Sequence, residues 1–149
     1  MSFWRDLLIG NRKVFISFDY DNDKQYKFLL TAITKNPRFS LDFSDNSSRE
    51  VNSNDIGRIK AALSRKIGES THTLVLIGQY ANSLHKDHKL IGYRNWINYE
   101  VAKSKEFGKK IVAVKLNPNF ASPEELLRSG VTWVKSFNID NITAAIDNC

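Results

Sequence analysis

Strands alternating with helices along the 149 residues predict a doubly wound α/β fold, a five-stranded parallel sheet in the order 2-1-3-4-5. Three observations carry this expectation. Residues 73–77 (TLVLI) and 111–116 (IVAVKL, broken only by Lys115) are almost wholly apolar, as strands covered on both faces are. Ile56, Ile59, Leu63 and Ile67 recur at helical spacing just before the first of these runs, so an amphipathic helix feeds a buried strand. The chain is long enough to enclose one core and too short for a second independent domain.

Each element follows from a local pattern. Residues 13–18 (KVFISF) form a β-branched and aromatic run before acidic turn residues, which marks the first strand. Tyr26, Leu29, Leu30 and Ile33 then place an apolar stripe on a helix that ends before Asn36 and Pro37. Phe39, Leu41 and Phe43 alternate within residues 38–43, a strand with one buried face at a sheet edge. Between the third and fourth strands, a loop over 79–95 leads into a helix over 96–107 closed by Gly108. Ser122, Pro123 and Glu125 supply the start signal of a short helix stopping near Gly130. Residues 131–137 read as a more amphipathic last strand and 139–146 as a final helix. The whole of 1–149 is expected to be one domain, with 1–12 a short N-terminal packing segment.

Composition removes several function classes. Apolar residues are 42% and charged residues 26%, ordinary globular usage that argues against general disorder. The single cysteine, Cys149, permits no intrachain disulfide. No apolar run approaches the roughly 20 residues needed to cross a bilayer, so a soluble, cytoplasmic protein with no membrane partner is expected. The net charge of +6 is dispersed without a basic run, which argues against nucleic acid while favouring a phosphate-bearing ligand or an acidic partner.

In a sheet of this order the ligand crevice opens beyond the carboxyl ends of the first and third strands. Two loops line it: residues 19–23 (DYDND) and residues 78–95, opened by Gly78. Glu100 lies about one turn into the helix that the second loop feeds. No GxGxxG or Walker motif is present, which disfavours a P-loop enzyme or an ordinary dinucleotide dehydrogenase. The third strand ends Leu76-Ile77-Gly78 without the aspartate that a receiver domain needs.

The runs 15–18 (FISF) with their acidic tail, 76–78 (LIG), and 96–100 (WINYE) with 109–112 (KKIV) resemble the TIR-like proteins of bacterial Thoeris antiphage systems, across residues 13–116. The resemblance implies the flavodoxin-like TIR fold and an NAD-cleaving site in which the matching glutamate, Glu100, is catalytic. It also implies that Phe18, Asp19 and Tyr20 line the pocket, that NAD is substrate with no further cofactor, and that the product is an ADP-ribose-derived signal. That signal would activate a separate effector protein after a phage trigger. The 79–95 loop is longer and richer in charge than the family pattern, which bears on substrate access and product shape.

The chemistry suits one carboxylate. Nicotinamide leaves as an already cationic ring, so departure needs no general acid, and a nearby anion steadies the oxocarbenium-like ribose. Against this stands an exposed helix glutamate pairing with Lys103 one turn on. Trp96 and Tyr99 either stack on substrate or cover the sheet. Asp19, Asp21 and Asp23 read as a solvated helix cap more readily than as a metal site, and His85 and His88 as loop histidines rather than zinc ligands. The alternative function is a non-catalytic TIR adaptor working by homo-oligomeric contacts.

Overall fold

A computed structural model of the chain describes the backbone of residues 12–34, 41–44 and 54–149. Nearly all of the N-terminal packing segment expected over 1–12, and the Phe39 end of the second strand, lie outside the described residues. Five strands, β1 (Arg12–Ser17), β2 (Leu41–Ser44), β3 (His72–Ile77), β4 (Lys110–Lys115) and β5 (Thr132–Val134), pair in parallel in the order β2-β1-β3-β4-β5. The helices are α1 (Tyr20–Thr34), α2 (Ile56–Glu69), α3 (His88–Ile91), α4 (Trp96–Glu106) and α5 (Ile139–Asn148), with a single 3-10 turn at Glu124–Leu126.

Side chains of the central strands alternate between two cores, because successive residues of a strand point to opposite faces. Val14, Ile16, Leu74, Leu76, Val112 and Val114 meet Leu30 of α1 and Ile142 and Ile146 of α5. On the other face Val75, Ile77 and Ala113 meet Ile97 and Val101 of α4, while Phe15 meets Ile59, Leu63 and Ile67 of α2. Every residue of β3 is buried, as its apolar run requires.

Local departures from the sequence expectation have physical causes. Leu29 is 52% exposed; the inward face of α1 instead carries Asp23, Lys27 and Leu30, with Tyr26 half-buried. Leu30 and Tyr26 thus lie on the face that the stripe marks, and Leu29 is the member that faces solvent. The expected helix near 122–130 reduces to the 3-10 turn, since Leu127 is extended and Arg128 takes a left-handed backbone with φ 58°. The last strand has three residues rather than seven. Within the 79–95 loop lies α3, four residues long and closed by Gly92 at φ 84°; a single turn is too short for periodicity to reveal.

Asn95 ties this loop to the fold. Its Oδ1 accepts from the Asn98 amide (2.9 Å) as the N-cap of α4, and its Nδ2 donates to the Ala81 and Ser83 carbonyls (2.9 Å each). Buried Asn98 donates to Asn82 Oδ1 (3.1 Å) and accepts from the Glu125 amide (3.0 Å), joining the loop to the 3-10 turn. Among the described residues, Asn138 caps α5 through its bond to the Asn141 amide (2.9 Å). Asn95→Ala is expected to cost about 2–3 kcal/mol, against about 1 kcal/mol for Asn138→Ala, because it leaves loop carbonyls unsatisfied as well as removing a cap. Urea midpoints of the two variants check this, and equal shifts would remove the clasp from the account.

Candidate active site

The carboxyl ends of β1 and β3 open onto a cavity of about 240 Å³. Phe18, Asp19, Tyr20, Asp21 and Asn22 line it from the first loop and the start of α1. Tyr80, Ser83, Leu84 and His85 line it from the second loop, and Asn95, Trp96 and Ile97 from the start of α4. Asp19 shapes the first wall: Oδ1 accepts from the Asp21 amide (3.1 Å) and Oδ2 from Asn22 Nδ2 (2.6 Å). Tyr20 stands 6.1 Å from Phe18, ring to ring, with Lys24 Nζ 5.9 Å from its centroid.

Glu100 is not among the residues that line this cavity; it lies on α4 one turn after the lining residue Trp96. It is 1% exposed, and Ser17 Oγ, at the end of β1, donates to its Oε1 at 2.6 Å. Its Oε2 is buried with no hydrogen-bond partner. Helical side chains lean toward the N-terminus, so the carboxyl lies over the turn carrying the cavity-lining Trp96 and Ile97. One turn further on, Ser104 shares a hydrogen bond with Thr73 Oγ1 (2.7 Å) and donates to the Glu100 carbonyl (2.8 Å), which fixes α4 against β3. The exposed pair with Lys103 does not form; Lys103 Nζ binds Glu106 at 2.9 Å.

Burial pushes the Glu100 carboxyl up to about 8, partly opposed by the Ser17 hydroxyl, so the acid is largely protonated at neutral pH. A second buried acid escaped the sequence reading as a site residue. Asp23 is 7% exposed, its Oδ2 has no hydrogen-bond partner, and burial followed by neighbouring Asp19 raises it to about 6. It packs against Gly78, where an added methyl group would fall inside the Asp23 carboxyl. Gly78 thus serves close approach to Asp23 and lies outside the cavity lining.

Of the other expected site residues, Phe18, Asp19, Tyr20 and Trp96 line the cavity, whereas Tyr99 does not. Tyr99 is 3% exposed, its hydroxyl bonded to Ser64 Oγ (2.8 Å) and the Lys60 carbonyl (3.2 Å), so it anchors α4 to α2. Its helical position points it away from the crevice while Trp96, three residues earlier, spans both. Sequence reasoning gave no role to Ser17 or Asn95, and it read Asp23 as part of a solvated helix cap although the residue is buried; the one available signal was a hydroxyl closing an otherwise apolar strand. Among the described residues no group of three potential ligands stands close enough to hold a metal ion, and His85 Nδ1 is engaged by the Asp87 amide (2.9 Å).

The two buried acids generate stability predictions. Glu100 has a folded value of about 8 against 4.5 ordinarily, so its contribution to stability is fully present below pH 4.5 and is lost as pH rises toward 8. Near pH 7 that loss is about 3 kcal/mol. Glu100→Gln keeps an acceptor for Ser17 and removes the loss, so its melting temperature should exceed the native value by several degrees at pH 8 and converge with it near pH 4.5. Melting curves across pH test this, and a constant offset would contradict it. Separately, Gly78→Ala should destabilise by about 1–3 kcal/mol through overpacking. In a double-mutant cycle Asp23→Ala should absorb most of that cost; strict additivity would show that the two do not press on each other.

Residues 15–119, more than half of the chain, match the family model described as Thoeris protein ThsB, TIR-like domain. No curated protein sequence matches the chain. Among solved structures, that of Clostridium botulinum CMP N-glycosidase, BcmB, aligns with a TM-score of 0.50 and 14% identity, covering 91% of this chain and 98% of that one. At that identity the likeness concerns the fold. With the β1, β3 and α4 segments that carry the family pattern now placed around one crevice, the chain belongs to the Thoeris ThsB TIR-like family.

Proposed function

We propose that the protein is an NAD-consuming enzyme of antiphage defence. It cleaves the nicotinamide–ribose bond at Glu100 and releases an ADP-ribose-derived signal, cyclic or conjugated, that activates a separate effector chain. The observation that carries this reading is a buried carboxyl with one oxygen held by Ser17 and the other unpartnered, one helical turn from the Trp96 that lines an aromatic and acidic cavity. Family membership supports it, and so does a fold shared with an enzyme named for nucleotide N-glycosidic cleavage.

The cavity chemistry suits a cationic ring. Phe18, Tyr20, Tyr80 and Trp96 offer aromatic faces, and Asp19 and Asp21 offer negative charge. As the bond to nicotinamide breaks, positive charge moves onto the ribose, where Glu100 Oε2 in its carboxylate form stabilises it and accepts from a ribose hydroxyl. Ser17 holds the other oxygen, so the carboxylate need not reorient during the reaction. Because Glu100 is sealed at rest, the floor formed by the turn of Trp96 and Ile97 has to part before ribose reaches it.

Two measurements test the reading. Purified protein, with and without infected-cell extract, should release nicotinamide from NAD, and Glu100→Gln should reduce release at least about a hundredfold. Absence of nicotinamide release under both conditions would favour the non-catalytic adaptor, whereas full activity in Glu100→Gln would remove Glu100 from the mechanism. The carboxylate is the working form, so kcat/KM should climb with pH and level off above about 8. Ser17→Ala removes the group that lowers the acid, so the plateau should move to higher pH; an unmoved profile would separate Ser17 from the chemistry.

A further inference from the structure

We infer that the 79–95 loop divides a dinucleotide-binding surface in two, the cavity taking the nicotinamide-ribosyl half and a groove beyond Leu84 taking the adenosine diphosphate half. The inference rests on the reading of the cavity as the NAD site and adds where the rest of the substrate lies.

Capacity and charge both require a second compartment. At about 240 Å³ the cavity falls below the roughly 300–1,000 Å³ of clefts that enclose a drug-sized ligand, and a dinucleotide is larger than that. Its charged lining consists of Asp19 and Asp21, with His85, and includes neither lysine nor arginine. A diphosphate seated there would face two carboxylates at close range. The cavity accepts the cationic half of NAD and repels the anionic half.

A groove of about 460 Å³ lies on the other side of Leu84, which lines both spaces. Leu84 is 57% exposed, an apolar lip that a ligand crossing from one space to the other would cover. Exposed Lys89 and Arg94 line the groove, with half-buried His88. The Arg94 stem is fixed where its Nε donates to the Asn82 carbonyl at 2.6 Å, which presents the guanidinium from a defined position for charge-assisted bonds to phosphate. Two acids share the groove, Glu124 and Glu125, of which Glu125 is held by Lys105 Nζ at 3.2 Å. Tyr93, 5.8 Å from Tyr99 edge-on, lines the same groove and offers a ring for base stacking. The length and charge of this loop follow from the division of labour.

ADP is the probe for the outer half and nicotinamide riboside for the inner. Titrated into the native chain and followed by backbone NMR, ADP should shift the amides of Lys89, Tyr93 and Arg94, and the riboside those of Tyr20, Asp21 and Asn22. Lys89→Glu and Arg94→Gln should each weaken ADP binding about tenfold. In turnover, Lys89→Glu should reduce the preference for NAD over the riboside by a similar factor. Absence of ADP binding, shifts confined to the cavity, or unchanged affinity in both variants would overturn the inference whatever the catalytic result. ADP binding at the groove with no nicotinamide release under any condition would instead overturn the NAD reading and leave the groove as a nucleotide diphosphate site.

Discussion

The hydrogen bond from Ser17 to Glu100 is the contact around which the site is organised. It joins the last residue of β1 to the second turn of α4 across the sheet's reversal point, at 2.6 Å and without solvent. A carboxylic acid buried with one satisfied oxygen is unfavourable at neutral pH, because desolvation penalises its charged form. Such a group is what a site holding charge in reserve requires and what a stability-optimised core would replace. The Thr73 and Ser104 hydroxyls, one turn further along, repeat the strand-to-helix tie and hold α4 at the distance that the first contact needs.

Around that contact, the fold keeps aromatic and acidic groups on the accessible side and the catalytic candidate on the sealed side. Asp19 organises the first loop through its own backbone and Asn22, while Asn95 and Asn98 bind the second loop to the start of α4 and to the 3-10 turn. The cavity walls are therefore held by polar bonds to backbone groups. Polar ties of this kind fix a loop without filling the cavity with side chains, and they leave Tyr80 and Leu84 extended toward solvent.

Asp23 is a second buried acid with one unpartnered oxygen. Its neighbours Gly78 and Asp19 belong to the two loops that bound the cavity, so this carboxyl couples their positions. Asp23 belongs to α1 and Glu100 to α4, helices that pack on opposite faces of the sheet.

Much of the scaffold was legible in residue order. Apolar runs at 73–77 and 111–116, helical stripes such as Ile59, Leu63 and Ile67, and the absence of phosphate-binding glycine motifs were enough for a parallel α/β sheet with a crevice between the 19–23 and 78–95 loops. They also singled out Glu100, through a family pattern rather than through periodicity. Tertiary structure decided what a linear pattern cannot encode. It turned Glu100 inward onto Ser17, put Tyr99 into the α2 interface instead of the crevice, brought Asp23 against Gly78, and separated an acidic cavity from a groove that carries Lys89 and Arg94 across Leu84. Periodicity reports which face of an element is apolar, whereas the depth of a polar side chain and its partner depend on how two elements far apart in sequence meet.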